Sequence, residues 1–432
     1  MEPEATMPLV EWTTRNAAPL AASGPDTPVD DLSALSRLIG SARVVALGES
    51  SHQIREYGLL RDRMLRFLIQ EQGFTVYAME LATVSGRALD AWTRGADTDL
   101  DVLLTPNAGG YPTQSAEGRD TLRWLRAHNA AATCPVQVVG LDIPAAGGSL
   151  APVLELVATR LAAIDPRAAG YARAALELSE PLAGGSGFTA AQARLGLDAT
   201  LQDRLSTVLG QLLNRVTVMR EVYIDSAGPA LYEDVVDDVW AAWRTDQMQR
   251  AMAALFDGNP DAADLSARDR HLADSLLNLL DRSAPDTRVV LVAHNAHIQR
   301  TVNPEGTPLP RVPMGHVLAR RLGQDYVSMA MTSGGGTTVQ NVVDPAHPAG
   351  MRQSATDAPA PVPASVEALF ADTPAAPSLV DTRAMRAHAR RHRLPEPTRI
   401  RMDDGFLPVP VLDAYDAIVH VPRTTLSADL AG

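Results

Sequence analysis

Four short apolar runs that each stop on an ionisable residue constrain this chain more than any other feature. Residues 43–47 (RVVAL) run into Gly48, Glu49, Ser50, Ser51 and His52. Residues 75–79 (TVYAM) end at Glu80, 136–141 (VQVVGL) at Asp142, and 288–293 (RVVLVA) at His294, with His297 three residues on. Val, Leu and Ala without polar alternation mark strands buried on both faces, and such strands belong to parallel sheets. In an open parallel sheet the ligand site lies off the carboxyl ends of the strands. Two Glu, one Asp and three His, far apart in sequence, are therefore expected on one rim, which is the layout of an enzyme.

Helical periodicity fills the gaps between these runs. Residues 55–72 place Tyr57, Leu60, Met64, Phe67 and Leu68 on one face, and Gly73 stops the helix. At about 3.6 residues per turn, Arg61 and Arg63 flank that stripe roughly 80° to either side, and Arg55 lies opposite. Strand, helix and strand over 43–79 make a βαβ unit. Helices over 86–93 and 118–129 precede the third run. From about 150 to 285 the sequence turns Ala-, Leu- and Arg-rich, with periodic stretches at 201–219 and 235–255, and reads as a helical insertion. Residues 266–280 (SARDRHLADSLLNLL) form an amphipathic helix with Ser266 as its expected N-cap. A helix at 314–322 and strands at 326–331 and 417–421 follow. The Ala/Pro-rich stretch 355–378 reads as a linker or long surface loop. The expected fold is α/β, a mainly parallel sheet flanked by helices. It divides into an irregular N-terminal segment 1–30, a first core half 31–150, a helical cap 151–285 over the strand ends, and a second core half 286–432.

Apolar residues make up 46% of the chain and charged ones 21%, enough for a large core in a soluble protein. The formal charge of −13, from 51 acidic and 38 basic side chains, argues against a nucleic-acid partner. The basic segment 383–393 (RAMRAHARRHR) reads as a solvated helix face, with an anionic partner as the alternative. Cys134 is the sole cysteine, which excludes an internal disulfide and leaves a packing role as the expectation. The first residues lack a signal pattern, and no run of 18 apolar residues occurs, so a cytoplasmic protein without a membrane span is the default.

The loop after the first run carries the candidate base. Gly48 lets the backbone leave the strand sharply, and a single turn brings Glu49 and His52 together. A carboxylate beside an imidazole favours its cation and fixes its tautomer. The same residues also fit a polar loop that caps a helix. Glu80 and Asp142 are candidates for the rim, although each also fits a purely structural acceptor. His294 and His297, at i and i+3 after a buried strand, point into one volume if a turn follows; a core histidine next to a surface one is the competing reading. No G-x-S-x-G elbow, Walker A or G-x-G-x-x-G motif is present, and Gly334–Gly336 reads as a turn. Neither H-E-x-x-H nor paired C-x-x-C occurs, so no metal and no cofactor are expected.

Three blocks carry a family resemblance. ALGESSHQIREYGLLRDRMLRFLIQEQGFTVYAMEL resembles the LGE-x-x-H, helix, GF-x-x-x-x-E signature of the erythromycin esterase family. ARDRHLADSLLNLL followed by VVLVAHNAHIQR is similar to its R-D-x-x-M-A and A-H-N-x-H motifs, and PMGHVLARRLGQDYVSMAM to its M-G-x-x-L stretch. The closing DAYDAIVHV resembles its last strand. The resemblance implies a three-layer α/β/α fold with a helical lid, and a metal-independent hydrolase that opens a macrolide lactone with activated water. It makes His52 the general base, oriented by Glu49. Glu80, His294 and His297 position water and substrate and stabilise charge, and a helix arginine, Arg61 or Arg63, joins the site. Asp142 is a further substrate contact. Leu272 stands where the family often has Met, and the segment after Asp142 is short and small-residued.

Other readings remain open at this point. A lyase, dehydratase or cyclase acting on a natural product would use the same imidazole, a metal hydrolase would lose activity on chelation, and a binding module would return its ligand unchanged. Every enzymatic reading takes a bulky small-molecule substrate.

Overall fold

The computed structural model describes residues 7–21, 27, 29–104, 115–259, 264–304 and 311–428. In chain order its strands are β1 (Ala18–Pro19), β2 (Val44–Glu49), β3 (Val76–Ala82), β4 (Gln137–Asp142), β5 (Val289–His294), β6 (Tyr326–Ser333), β7 (Thr337–Val343), β8 (Met351–Asp357), β9 (Ser378–Asp381), β10 (Arg399–Met402), β11 (Gly405–Pro408) and β12 (Ala417–Val421). Eight of them form one sheet in the order β1-β9-β12-β6-β2-β5-β3-β4. The six strands from β12 to β4 are mutually parallel; β9 and β1 close one edge antiparallel. β2, β5 and β6 are buried along their whole length, as unalternated apolar runs require.

Two hydrophobic layers cover the sheet. Val45 and Leu47 of β2 face one layer with Leu60, Met64 and Leu68 of helix Arg55–Gln72 and Leu122 and Leu125 of helix Ala116–Ala131. Val44 and Ala46 face the other, with Leu272, Leu276 and Leu280 of helix Ser266–Arg282 and with Met314 and Leu318. The helices from Ala151 to Phe256 bury a core of their own, from Val153 and Leu154 to Val239 and Ala242. This helical unit lies beside the β4 edge, where Asp238 pairs with Arg87 of helix Thr83–Thr93 and with Arg160. It reaches the carboxyl end of the sheet through Gln249, which donates to the Gly147 carbonyl at 2.7 Å.

Four expectations change. Within 1–30, residues 7–21 are not irregular: helix Leu9–Asn16 buries Leu9 and Thr13, and β1 pairs with β9; residues 1–6, 22–26 and 28 lie outside the described ones. The stretch 355–378 is not a linker or surface loop throughout, because its first residues complete β8 and Val366, Glu367 and Phe370 are buried in a 3₁₀ turn, while 358–364 and 371–377 carry no helix or strand. Ser266 opens its helix without capping it, its hydroxyl accepting instead from the Val312 amide at 3.1 Å. Cys134 is exposed. The basic segment forms helix Thr382–His392, whose arginines pair with Asp381, Asp413 and Glu396.

Candidate active site

The parallel register brings the four strand ends side by side, with Glu49 of β2 directly opposite His294 of β5. Glu49 is buried and held from two sides: Oε1 accepts from His52 Nδ1 at 2.8 Å and Oε2 from Arg61 Nη1 at 2.7 Å. Burial pushes the Glu49 carboxyl up, but Arg61 and His52 outweigh it and hold the group below its usual range. An ionised carboxylate only accepts, so Nδ1 of His52 carries the hydrogen and the lone pair of the neutral ring sits on Nε2. Burial lowers His52, while the hydrogen bond and charge of Glu49, with the charges of Glu80 and Asp403, raise it above the ordinary histidine value.

The loop that presents His52 is anchored from outside. The Ser50 carbonyl accepts the Asp403 amide at 2.7 Å, and the Gln53 carbonyl accepts the Ser427 amide at 2.9 Å. Gln53 itself adopts φ 60.

Glu80 sits where the β3–β4 register slips, an irregularity that re-aims side chains at a strand end. Its Oε2 accepts the His294 amide at 2.9 Å, and its Oε1 accepts from Arg268 Nη2 at 2.7 Å and lies 3.4 Å from His297 Nε2. Burial would raise Glu80, but His297 and Arg268 drive it well below the usual carboxylate range. Asp142 grips the same guanidinium: Oδ2 accepts from Arg268 Nη2 at 2.6 Å and Oδ1 from Nε at 2.9 Å. Arg268 thus takes the position between Glu80 and Asp142 that a cation would fill. Among the described residues no group of three His, Cys, Asp or Glu side chains is spaced to hold a metal ion.

The histidines take different states. His294 Nδ1 accepts from the Ala296 amide at 3.2 Å, which leaves Nε2–H to donate to the Ser50 carbonyl at 3.1 Å. Burial, together with the charge of His52, holds its pKa down against Asp403, so it is a neutral ring with both nitrogens engaged. His297 donates through Nδ1 to Asp269 Oδ1 at 2.9 Å; Asp269 also accepts the Met314 amide at 2.9 Å. Burial opposes its charge, but Asp269 and Glu80 push His297 up to about 10, making it an imidazolium at neutral pH. The His52 and His294 rings meet edge to face, 5.3 Å between centroids.

Glu49, His52, Arg61, Glu80, Asp142, His294 and His297 are thus brought together. Arg63 is not: the helix turns it to the other flank, where it pairs with Asp31, Nη1 to Oδ2 at 2.7 Å, so it does not reach the rim. Sequence reasoning missed Arg268 and Asp269 as site residues. For Asp269 the signal was present, since it lies three residues before Leu272 on the buried stripe of its helix, where a charge demands a partner.

The chain matches the erythromycin esterase family over residues 69–424. It is 30% identical over 425 residues to erythromycin esterase type II of Escherichia coli, covering 96% of this chain and 98% of that one. To erythromycin esterase type I of Escherichia coli it is 25% identical over 312 residues, 70% and 73% of the two chains. Its fold matches a mutant of erythromycin esterase EreC in its open conformation with TM-score 0.83 at 22% identity, covering 96% and 98%. It matches a succinoglycan biosynthesis protein with TM-score 0.74 at 20% identity, covering 97% of each. A family match over most of the chain, with a relative aligned nearly end to end, shows that this protein belongs to the erythromycin esterase family and is an ester-hydrolysing enzyme.

Proposed function

We propose that this protein opens the lactone of a macrolide-like natural product with water activated by His52. The observation that carries the reading is the division of charge at one rim: a neutralisable imidazole held by Glu49, and the cations His297 and Arg268 held by Glu80. In this mechanism His52 Nε2 takes a proton from water while the water oxygen bonds to the ester carbonyl carbon. The carbonyl oxygen gains negative charge, which His297 and Arg268 stabilise; donors already in place cost no reorganisation during reaction. The intermediate collapses by breaking the carbon–oxygen bond of the ring, and His52 returns its proton to the departing alkoxide. The product is the ring-opened hydroxy acid.

Incubation with a panel of macrolides, read by mass, tests this directly. Hydrolysis adds one water to the substrate. An unchanged mass with a new retention time marks cyclisation, loss of water marks elimination, and either result replaces the hydrolytic reading. General-base action is typically worth about 10² to 10⁴ in rate, so His52→Gln should lower kcat by that order with KM little changed. A variant turning over at the wild-type rate removes His52 from the role.

A further inference from the structure

The turn between β10 and β11 meets the loop that follows β2. Asp403 sits there at φ 48, the positive value that the first position of a two-residue hairpin loop takes. Two hydrogen bonds hold it: its amide donates to the Ser50 carbonyl at 2.7 Å, and its own carbonyl accepts from Thr338 Oγ1 at 3.2 Å. The Ser50 carbonyl is the same one that receives the Nε2–H of His294. One oxygen therefore joins the loop of His52, the ring of His294 and the backbone of Asp403. Among the described residues no side chain forms a hydrogen bond or ion pair with the Asp403 carboxylate, while its charge favours the protonated form of both rings.

We propose that Asp403 is a positioning residue for the His52–His294 pair, fixing their loop through the Ser50 carbonyl and adding its carboxylate to the charges around the two rings. The inference rests on the functional reading above for its kinetic consequence but not for its physical content. Among the described residues, His52 meets the charges of Glu49 from β2, Glu80 from β3 and Asp403 from the turn and the ring of His294 from β5, with Arg61 behind Glu49. Glu49 is committed to Arg61 and Glu80 to Arg268. Asp403 is the carboxylate of this group without such a cation, so its removal changes the field on the rings most simply.

Asp403→Asn and Asp403→Gly both remove the charge and keep the turn, since Asn tolerates and Gly prefers positive φ. Both should fold, with the wild-type melting temperature nearly retained. Histidine ring NMR should show His52 titrating at lower pH in both variants. The acid limb of kcat/KM should move to lower pH in parallel, because a less basic ring sheds its proton earlier. Unmoved His52 titration in both variants overturns the proposal, as does a change confined to KM, which would mark a substrate contact instead. Should His52→Gln keep wild-type activity, the functional reading fails while the NMR titration still decides the role of Asp403.

Discussion

His297 is held as an imidazolium between two buried carboxylates, so the free energy of this corner of the fold depends on pH. Its folded value of about 10 lies above the ordinary 6.5. A raised cation contributes stability that is complete below the unfolded value and is lost as pH climbs through the folded one. At about 1.4 kcal/mol per unit this is at most a few kcal/mol. The chain contains no lysine to titrate alongside, and the tyrosines, which ionise from the upper end of the window, are common to the two proteins compared below. Urea melts at pH 7 and near pH 10 should show the wild type losing stability between them. His297→Gln, less stable at pH 7, should lose distinctly less over the same interval. Parallel curves for the two proteins would mean that the ring is not charged in the native state.

Packing at the element scale depends on close approaches that leave no room for a side chain. Helix Thr83–Thr93 crosses β4 at Gly86, where an added Cβ would stand 2.0 Å from the Gly140 amide nitrogen. Gly86→Ala pushes against backbone that cannot rotate away, so it should cost about 1–3 kcal/mol or more and disturb Asp142 at the end of the same strand. Gly170→Ala, in helix Pro166–Ser179 with open space at its Cβ, should be neutral or stabilising by up to about 1 kcal/mol. Melting temperatures of the two variants check the pair, and equal losses would refute the packing argument. What the chain revealed about itself follows the same division. Buried strands announce themselves by composition, so β2, β3, β4 and β5 and their terminal residues were legible. Arg61 and Arg63 were indistinguishable on the helical wheel, since each flanks the stripe equally; only the position of Asp31 and of the sheet separates them. Pairing partners distant in sequence, such as Arg268 with Glu80 and Asp142, leave no periodic trace. The segment around Val366–Phe370 looked like a linker because Ala and Pro pack well without signalling that they do.

The β7–β8 hairpin bridges the core and the helical unit of 151–256. On the core side Gln353 of β8 accepts from Gln53, next to His52, at 2.9 Å. On the other side the Ser186 hydroxyl donates to the Ala349 carbonyl at 2.7 Å, and Gly185 lies so close to Pro348 that an added Cβ would meet its carbonyl oxygen at 2.2 Å. The hairpin tip thus spans from the His52 loop to the start of helix Gly187–Leu195. Val343 pairs with Met351 directly, so residues 344–350 can be replaced by Asn-Gly, the sequence that two-residue hairpins favour. The strands and the Gln53–Gln353 contact would persist while the bridge to the helical unit is removed. On the proposed function, a bulky substrate bound beside the His52 loop should lose this wall, raising KM several-fold with kcat changed much less and the melting temperature lowered only a few degrees. A variant with the wild-type KM would show that the tip is a surface ornament of the fold and that substrate enters elsewhere.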